Sequence, residues 1–412
     1  EEGRSGTAGR GTHLLRRSLA IGQVTIAFVL LIGAGLLLAS FRNVLKIDPG
    51  FTAAGVVTGA INMPSTSYTD DAKAPFIGRL LTAVRALPGV EAAGVTSTLP
   101  MSGDHNDSVI LAEGYQMKEG ESLVSPSSLV VSDGYLEAMK IGLVRGRLFN
   151  AGDTKDSMLA LIVDERMAAH FWPTQDPIGR RMYMPQSAKN VLETGPDTKW
   201  LTVVGVVKEV QLDGVALDRP AMGAYYFPYT QQPTSNVGLA VRTTQSSAAM
   251  VPELRKVLTS LDPMLPLYST KNMSEYVDDA LMSRRMPMLL AMAFAVVALF
   301  LSAVGIYGVL AYGVAQRRRE IGIRLALGST SGEVFTLVLR DGIKIVAFGL
   351  VLGLAGLVAL RHALTSVLYG VTAMDPVVIG SVALALSAVA LLAMVIPARR
   401  AAGVNPSIAL TD

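Results

Sequence analysis

Residues 286–316 read MPMLLAMAFAVVALFLSAVGIYGVLAYGVAQ and run directly into RRREIGIRLALG, residues 317–328. The first stretch holds no charged side chain, and at 1.5 Å per residue a helix of that length exceeds the ~30 Å of a bilayer's hydrocarbon. The second reads as a short helix, with Glu320 and Arg324 spaced i,i+4 and Ile321 with Leu325 on an apolar edge beside a basic one. A membrane span that ends in a charged elbow frames the rest of the chain.

Three further runs have the same character: residues 18–41 between Arg17 and Arg42, residues 342–360 with only Lys344 inside, and residues 376–398. A signal peptide would have a shorter apolar region followed by a small-residue cleavage site, which residues 18–41 do not match. Composition agrees with four spans. Of 412 residues, 50% are hydrophobic and 17% charged, against roughly 25% charged in soluble domains, and the mean hydropathy is +0.42. A wholly soluble protein is excluded. Thirty-six Lys and Arg against 33 Asp and Glu leave +3, too balanced for a nucleic-acid footprint, so no nucleic-acid partner is expected. Without cysteine there are no disulfides, thiolate metal sites or thiol nucleophiles, and His13, His105, His170 and His362 are far apart in sequence.

Short loops rich in Lys and Arg mark the cytoplasmic side. Arg16 and Arg17 precede the first span, Arg317, Arg318, Arg319, Arg324 and Arg340 lie between the second and third, and Arg399 and Arg400 follow the fourth. The expected partition is a cytoplasmic linker (1–17), helix one (18–41), an extracytoplasmic domain (42–285), helix two (286–316), a cytoplasmic elbow (317–341), helix three (342–360), an external loop (361–375), helix four (376–398) and a cytoplasmic tail (399–412). The fold class is therefore an α-helical membrane protein with four transmembrane helices and a large α+β extracytoplasmic domain. The spans hold no buried acid or charge pair of the kind that marks an ion path. Gly349 and Gly353, and Ser381 and Ala385, have the small-xxx-small spacing of close helix contacts, within the chain or between copies.

In the outer domain, residues 56–63 read as a strand, 70–87 as a helix with Phe76, Leu80, Leu81, Val84 and Leu87 on one face, and 93–97 as a strand. A second strand-helix-strand unit follows at 237–242, 247–261 and 265–269. Between them an insert of about 104–233 carries strands at 159–164 and 201–210 and a helix at 165–171. Two such units indicate an internal repeat. Asp104, His105 and Asp107 have metal-ligand chemistry, but a Gly/Asp/Asn/Ser run is far more often a solvated turn.

Catalytic patterns are missing. There is no P-loop and no H-E-x-x-H. Residues 328–332 resemble a nucleophile elbow only superficially, since the centre is Thr330; Gly328 as a helix stop and Thr330 with Glu333 as a capping box suit them better. No catalytic, cofactor-binding or metal residues and no cofactor are expected. On the far side of helix two, Asn272 with Glu275 caps a helix whose stripe is Met273, Tyr276, Val277, Ala280 and Leu281. Continuous from 273 to 316, it would span about 65 Å and serve as a lever across the membrane.

Taken with the motif at 317–328, an R-x-R-E-I-G-I-R-x-A-x-G-like elbow, the chain resembles the permease subunits of MacB/FtsX-type ABC transporters over nearly its whole length. Further motifs similar to the family's are Phe171-Trp172-Pro173, Asp176-Pro177-Ile178-Gly179, Gly142 with Gly146-Arg147 and Phe149, and Pro397-Ala398-Arg399-Arg400 with Val404-Asn405-Pro406. The resemblance implies a mechanotransmission permease of the bacterial cytoplasmic (inner) membrane, with export or efflux as its role. In it a separate cytoplasmic ABC ATPase presses on the elbow, for which Arg319, Glu320, Ile321, Gly322, Arg324, Leu325 and Gly328 are the coupling residues. Other implied partners are a second permease half or a homodimer partner, the lipid bilayer and a periplasmic adaptor protein. The macrolide exporter of the family has an ATPase domain fused ahead of helix one. Here the opening Gly/Arg/Ser-rich residues read instead as a linker, like the joint in duplicated eight-helix permeases. The alternative function is a membrane-tethered FtsX-like regulator or scaffold of a cell-envelope enzyme, without transport.

Overall fold

The computed structural model describes residues 6–117, 120–123, 125–185, 191–212, 222–327, 329–365 and 368–403. The chain forms two compact units: a membrane unit of Glu1–Lys46 with Ser283–Asp412, and a core domain of Ile47–Met282.

The chain opens with α1 (Gly6–Val44), so residues 6–17 are helical where the sequence reading places a flexible linker. The physical reason is that an apolar span already forms the nucleus, and extending a helix costs far less than starting one.

The core domain follows with β1 (Val56–Asn62), α2 (Asp70–Arg85) and β2 (Val90–Thr96). Its middle part holds β3 (Leu111–Ala112), β4 (Ser127–Val131), α3 (Tyr135–Ala138), β5 (Leu143–Gly146), β6 (Ala160–Asp164), α4 (Glu165–Phe171), β7 (Arg181–Tyr183), β8 (Leu201–Val207) and β9 (Ala224–Pro228). It closes with β10 (Asn236–Thr243), α5 (Ser247–Leu261) and β11 (Tyr268–Asn272).

The two strand-helix-strand units interleave. The order β11-β1-β10-β2 puts the first strand of each unit between the two strands of the other, the split arrangement of ferredoxin-like folds. β10 pairs antiparallel with β1, Val56 opposite Arg242 through Asn62 opposite Asn236, and antiparallel with β2 on its other side. Helix α2 buries Phe76, Ile77, Leu80, Leu81 and Val84, and α5 buries Met250, Leu254 and Leu258. These join Ile61, Val95, Leu239 and Val241 of the strands in one core. Truncating one such leucine costs about 2–5 kcal/mol.

β11 begins at Tyr268 rather than at Leu265. Leu265 and Leu267 are buried but precede the ladder, and Leu267 lies over Gly59, where a Cβ would meet its Cδ1 at 2.7 Å. The apolar alternation at 265–267 thus marks side chains that fill the core, while ladder pairing starts with Tyr268 opposite Ala60.

The strands of the middle part extend the same sheet. β4 joins β2 through Thr96 opposite Val131 and then pairs parallel with β9; β6 pairs parallel with β8. The motifs singled out in the sequence are structural here. Phe171 and Trp172 are buried, and Gly146 has φ +75° with a Cβ position only 2.3 Å from the Val204 carbonyl oxygen. Arg147 grips the buried Asp153 with both guanidinium ends at 2.8 and 2.7 Å. Burial raises the Asp153 pKa, but the bonds from Arg147 and from the Asn150 N–H outweigh it and leave the carboxyl below its usual value.

The membrane unit resumes with α6 (Met273–Gln316), α7 (Arg318–Ala326), α8 (Ser331–Thr365) and α9 (Pro376–Ala402). Four of its helices, α1, α6, α8 and α9, are long and apolar enough to cross a membrane. Helices α1, α8 and α9 pack on one another, and Ile306 and Leu310 bring α6 into the same core. The α8 glycines are used within the chain. A Cβ on Gly349 would stand 2.4 Å from Val24 Cγ1 and one on Gly353 2.6 Å from Phe28 Cδ1, and the Thr25 hydroxyl donates to the Gly349 carbonyl at 3.2 Å. By contrast Ser381 and Ala385 of α9 are exposed; Leu386, Ala390 and Met394 form its buried side. The Asp375 carboxylate caps α9 by accepting from the Val377 and Val378 N–H groups at 2.9 and 3.1 Å, with Pro376 in the first turn.

Candidate coupling elbow

Helix α6 runs without interruption through Pro287, from the core domain into the membrane unit. Its first turn is held by Glu275, which accepts from the Asn272 backbone N–H at 3.1 Å and from its side-chain amide at 2.8 Å. At its other end the chain turns at Arg317 and starts α7. Ile321 is 3% exposed and packs among Leu310, Val334 and Val338, with Leu325 half-buried beside it. This apolar edge fastens α7 to the membrane helices, so the remaining side faces outward.

Glu320 and Arg324 form the i,i+4 pair at 2.7 Å. Both are about half exposed, which limits the pair to a few tenths of a kcal/mol. Arg317 reaches Asp341 of α8 at 3.4 Å, and Lys344 approaches the same carboxylate at 3.8 Å. Arg16 of α1 stacks on Tyr312 of α6, 3.9 Å above the ring. The next helix opens with a reciprocal capping box: Thr330 N–H donates to Glu333 at 3.1 Å, and Glu333 N–H donates to the Thr330 hydroxyl at 3.3 Å.

Of the residues expected to couple to an ATPase, Arg319, Glu320 and Arg324 are exposed, Leu325 is half-buried, and Ile321 and Gly322 are buried. Gly328 lies outside the described residues, as do Val404, Asn405 and Pro406 of the terminal motif. Sequence reasoning misses Ile323, 43% exposed, and Leu327, 83% exposed. They too are spaced i,i+4, a usable signal, and they place two apolar side chains on the outer face beside the ion pair. Among the described residues, no group of three or more His, Asp or Glu side chains could hold a metal ion. In the 104–107 loop, Asp107 instead accepts from the Ser125 hydroxyl at 3.1 Å.

A bundle of four spans, a mixed α+β core domain between the first two, and a charged elbow after the second define an α-helical membrane protein with a large extramembrane domain. Residues 18–257 match the MacB-like periplasmic core domain, and residues 292–406 match the FtsX-like permease C-terminal domain. The chain belongs to the MacB/FtsX-type permeases of ABC transporters. It is 25% identical over 297 residues to the macrolide export ATP-binding/permease protein MacB of Neisseria meningitidis (strain Z2491), covering 68% of this chain and 43% of that protein. With MacB of Burkholderia lata it is 24% identical over 355 residues, 84% of this chain and 46% of the relative. With the uncharacterized ABC transporter permease YknZ of Bacillus subtilis (strain 168) it is 22% identical, covering 55% of this chain and 54% of that one. The chain thus spans about half the length of the curated relatives it matches. Among solved structures, the periplasmic region of MacB from Actinobacillus actinomycetemcomitans aligns with a TM-score of 0.35 at 14% identity, covering 57% of this chain and 95% of that one.

Proposed function

We propose that this chain is the permease of a mechanotransmission ABC transporter that serves export or efflux. A separate cytoplasmic ATPase docks on the elbow, and its ATP-driven closure moves the core domain through α6. In this reading the membrane is the bacterial cytoplasmic membrane, both chain ends are cytoplasmic, the core domain is periplasmic, and two elbows meet an ATPase dimer, supplied by a homodimer or a second permease half. A periplasmic adaptor on the core domain belongs to the same reading.

The observation that carries it is the continuity of α6, a single helix with its first turns in the core domain and its last turn at the elbow. The outer face of α7 supports it as a docking surface, because Ile323 and Leu327 supply apolar contact area next to the Glu320–Arg324 pair. Such a centre of apolar contact with charged surroundings is the usual anatomy of an interface.

The test is Glu320→Lys, measured with the ATPase partner in proteoliposomes. The substitution reverses one charge on an exposed face and leaves the buried edge intact. It should abolish permease-stimulated ATP hydrolysis while membrane insertion and core-domain folding persist. A variant that stimulates the ATPase like the parent contradicts elbow docking. Substrate export measured in cells separates a transporter from a membrane-tethered regulator, which would need the ATPase but move nothing.

A further inference from the structure

Between α1, α6, α7 and α8 lies a crevice of about 180 Å³. Its inner wall is apolar, formed by Leu310 and Val314 of α6 with Val338 and Ile345 of α8, and its rim carries Arg17 and Arg317. We infer that this crevice is a binding site for an anionic phospholipid, whose phosphate sits between Arg17 and Arg317 and whose glycerol shoulder and first acyl methylenes enter the apolar part.

Size decides against a transported drug. Drug-sized ligands occupy pockets of about 300–1,000 Å³, whereas an apolar cavity of ~150 Å³ accommodates a benzene-sized group. The volume fits a short hydrocarbon segment. Its place among the ends of membrane-spanning helices supplies lipid as the neighbour, and basic pockets between such helices are known to take anionic headgroups.

Charge decides the headgroup. The two acids on the lining, Glu320 and Asp341, are already engaged, Glu320 by Arg324 at 2.7 Å and Asp341 by Arg317 at 3.4 Å and Lys344 at 3.8 Å. Arg17 is half-buried at the rim and makes no hydrogen bond or ion pair among the described residues. Arg16, next to it, is turned onto Tyr312. The lining itself balances two arginines against two acids, but Arg324 and Lys344 engage those acids from outside it, and the Arg17 guanidinium is left to meet a phosphate, the pairing for which its forked donors are suited. The inference does not depend on what the permease moves. It gives the elbow a lipid contact beside the face proposed for the ATPase, with Glu320 on the border of the two.

Native mass spectrometry of the full chain in detergent, titrated with phosphatidylglycerol or with phosphatidylcholine of the same acyl chains, tests it. Phosphatidylglycerol should be retained in preference to phosphatidylcholine, and millimolar glycerol 3-phosphate should not displace it. Arg17→Ala should weaken phosphatidylglycerol binding by about fivefold, the worth of one basic residue at an anionic lipid. Arg400→Ala, at a basic residue that donates to the Tyr307 hydroxyl at 3.2 Å outside the crevice, should leave it unchanged. Equal retention of both lipids, an unaffected Arg17→Ala, or equal losses in Arg17→Ala and Arg400→Ala would each overturn the site. Displacement by glycerol 3-phosphate would overturn it too, in favour of a simple anion site.

Discussion

Arg242 shows how the core domain spends a charge on architecture. Its side chain is 5% exposed and forms no salt bridge among the described residues, with Glu91 acting on it only at longer range; it donates to the carbonyls of Ala138 at 2.6 Å, Ala54 at 2.8 Å and Thr52 at 2.6 Å. Burial lowers its pKa, and the three carbonyls compensate by tying α3 and the loop before β1 to β10. Arg242→Met leaves those acceptors without a donor, so a loss on the order of 3 kcal/mol in the core-domain unfolding transition is expected. Asp164 is the acidic counterpart. Its two carboxylate oxygens accept from Met167 N–H at 2.8 Å and Ala224 N–H at 2.7 Å, capping α4 and stapling it to β9. Burial dominates these bonds and raises its pKa to about 7. The sign follows from linkage: the folded state holds this proton more tightly than the unfolded chain does, whose Asp pKa is near 3.9. Its contribution is most favourable below pH 4 and is lost as pH rises towards 7. Hydrogen exchange of the α4 amides should therefore quicken between pH 5 and 7.5, after correction for intrinsic rates, and Asp164→Asn should flatten that dependence.

At the scale of elements, the glycines of α8 and the edges of α7 decide how the membrane unit is built. Gly353→Leu would drive a side chain into Phe28 of α1, whereas at Gly380, on the exposed side of α9, an added Cβ meets nothing within 4 Å and Gly380→Leu can point outward. Thermal unfolding in detergent should show a cost of about 1–3 kcal/mol for the first and little for the second; equal effects would mean that helix propensity rather than contact is being measured. The spans and the elbow were legible in the sequence because long charge-free runs bounded by arginines suit a bilayer and little else. The capping box at Thr330 and Glu333 was legible because its signal is equally local. Which apolar edge of α7 faces inward was not, since Ile321 with Leu325 and Ile323 with Leu327 have identical spacing and only packing against Val334 and Val338 separates them. The sheet's far half was also hidden. β9 is buried along its entire length and pairs parallel with the distant β4, so its residues give no alternation to read.

For the whole molecule, the proposed mechanism makes α6 the transmitter between ATP hydrolysis and the core domain. The orientation this requires can be checked with single cysteines, since the chain has none of its own. Cysteine at Ser246 should react with a membrane-impermeant thiol reagent from the periplasmic side, and cysteine at Ser331 only after the membrane is opened; the reverse pattern would invert the topology. The most direct measurement of transmission is hydrogen exchange of the permease-ATPase complex, compared between its ATP-bound and ADP-bound states. Transmission through α6 predicts a nucleotide-dependent change in β11 and the first turns of α6, residues 268–280. A flexible four-residue insertion after Arg285 should abolish that change while stimulated ATP hydrolysis at the elbow is retained. A nucleotide-dependent change that survives the insertion, or none in the parent, would contradict transmission through α6.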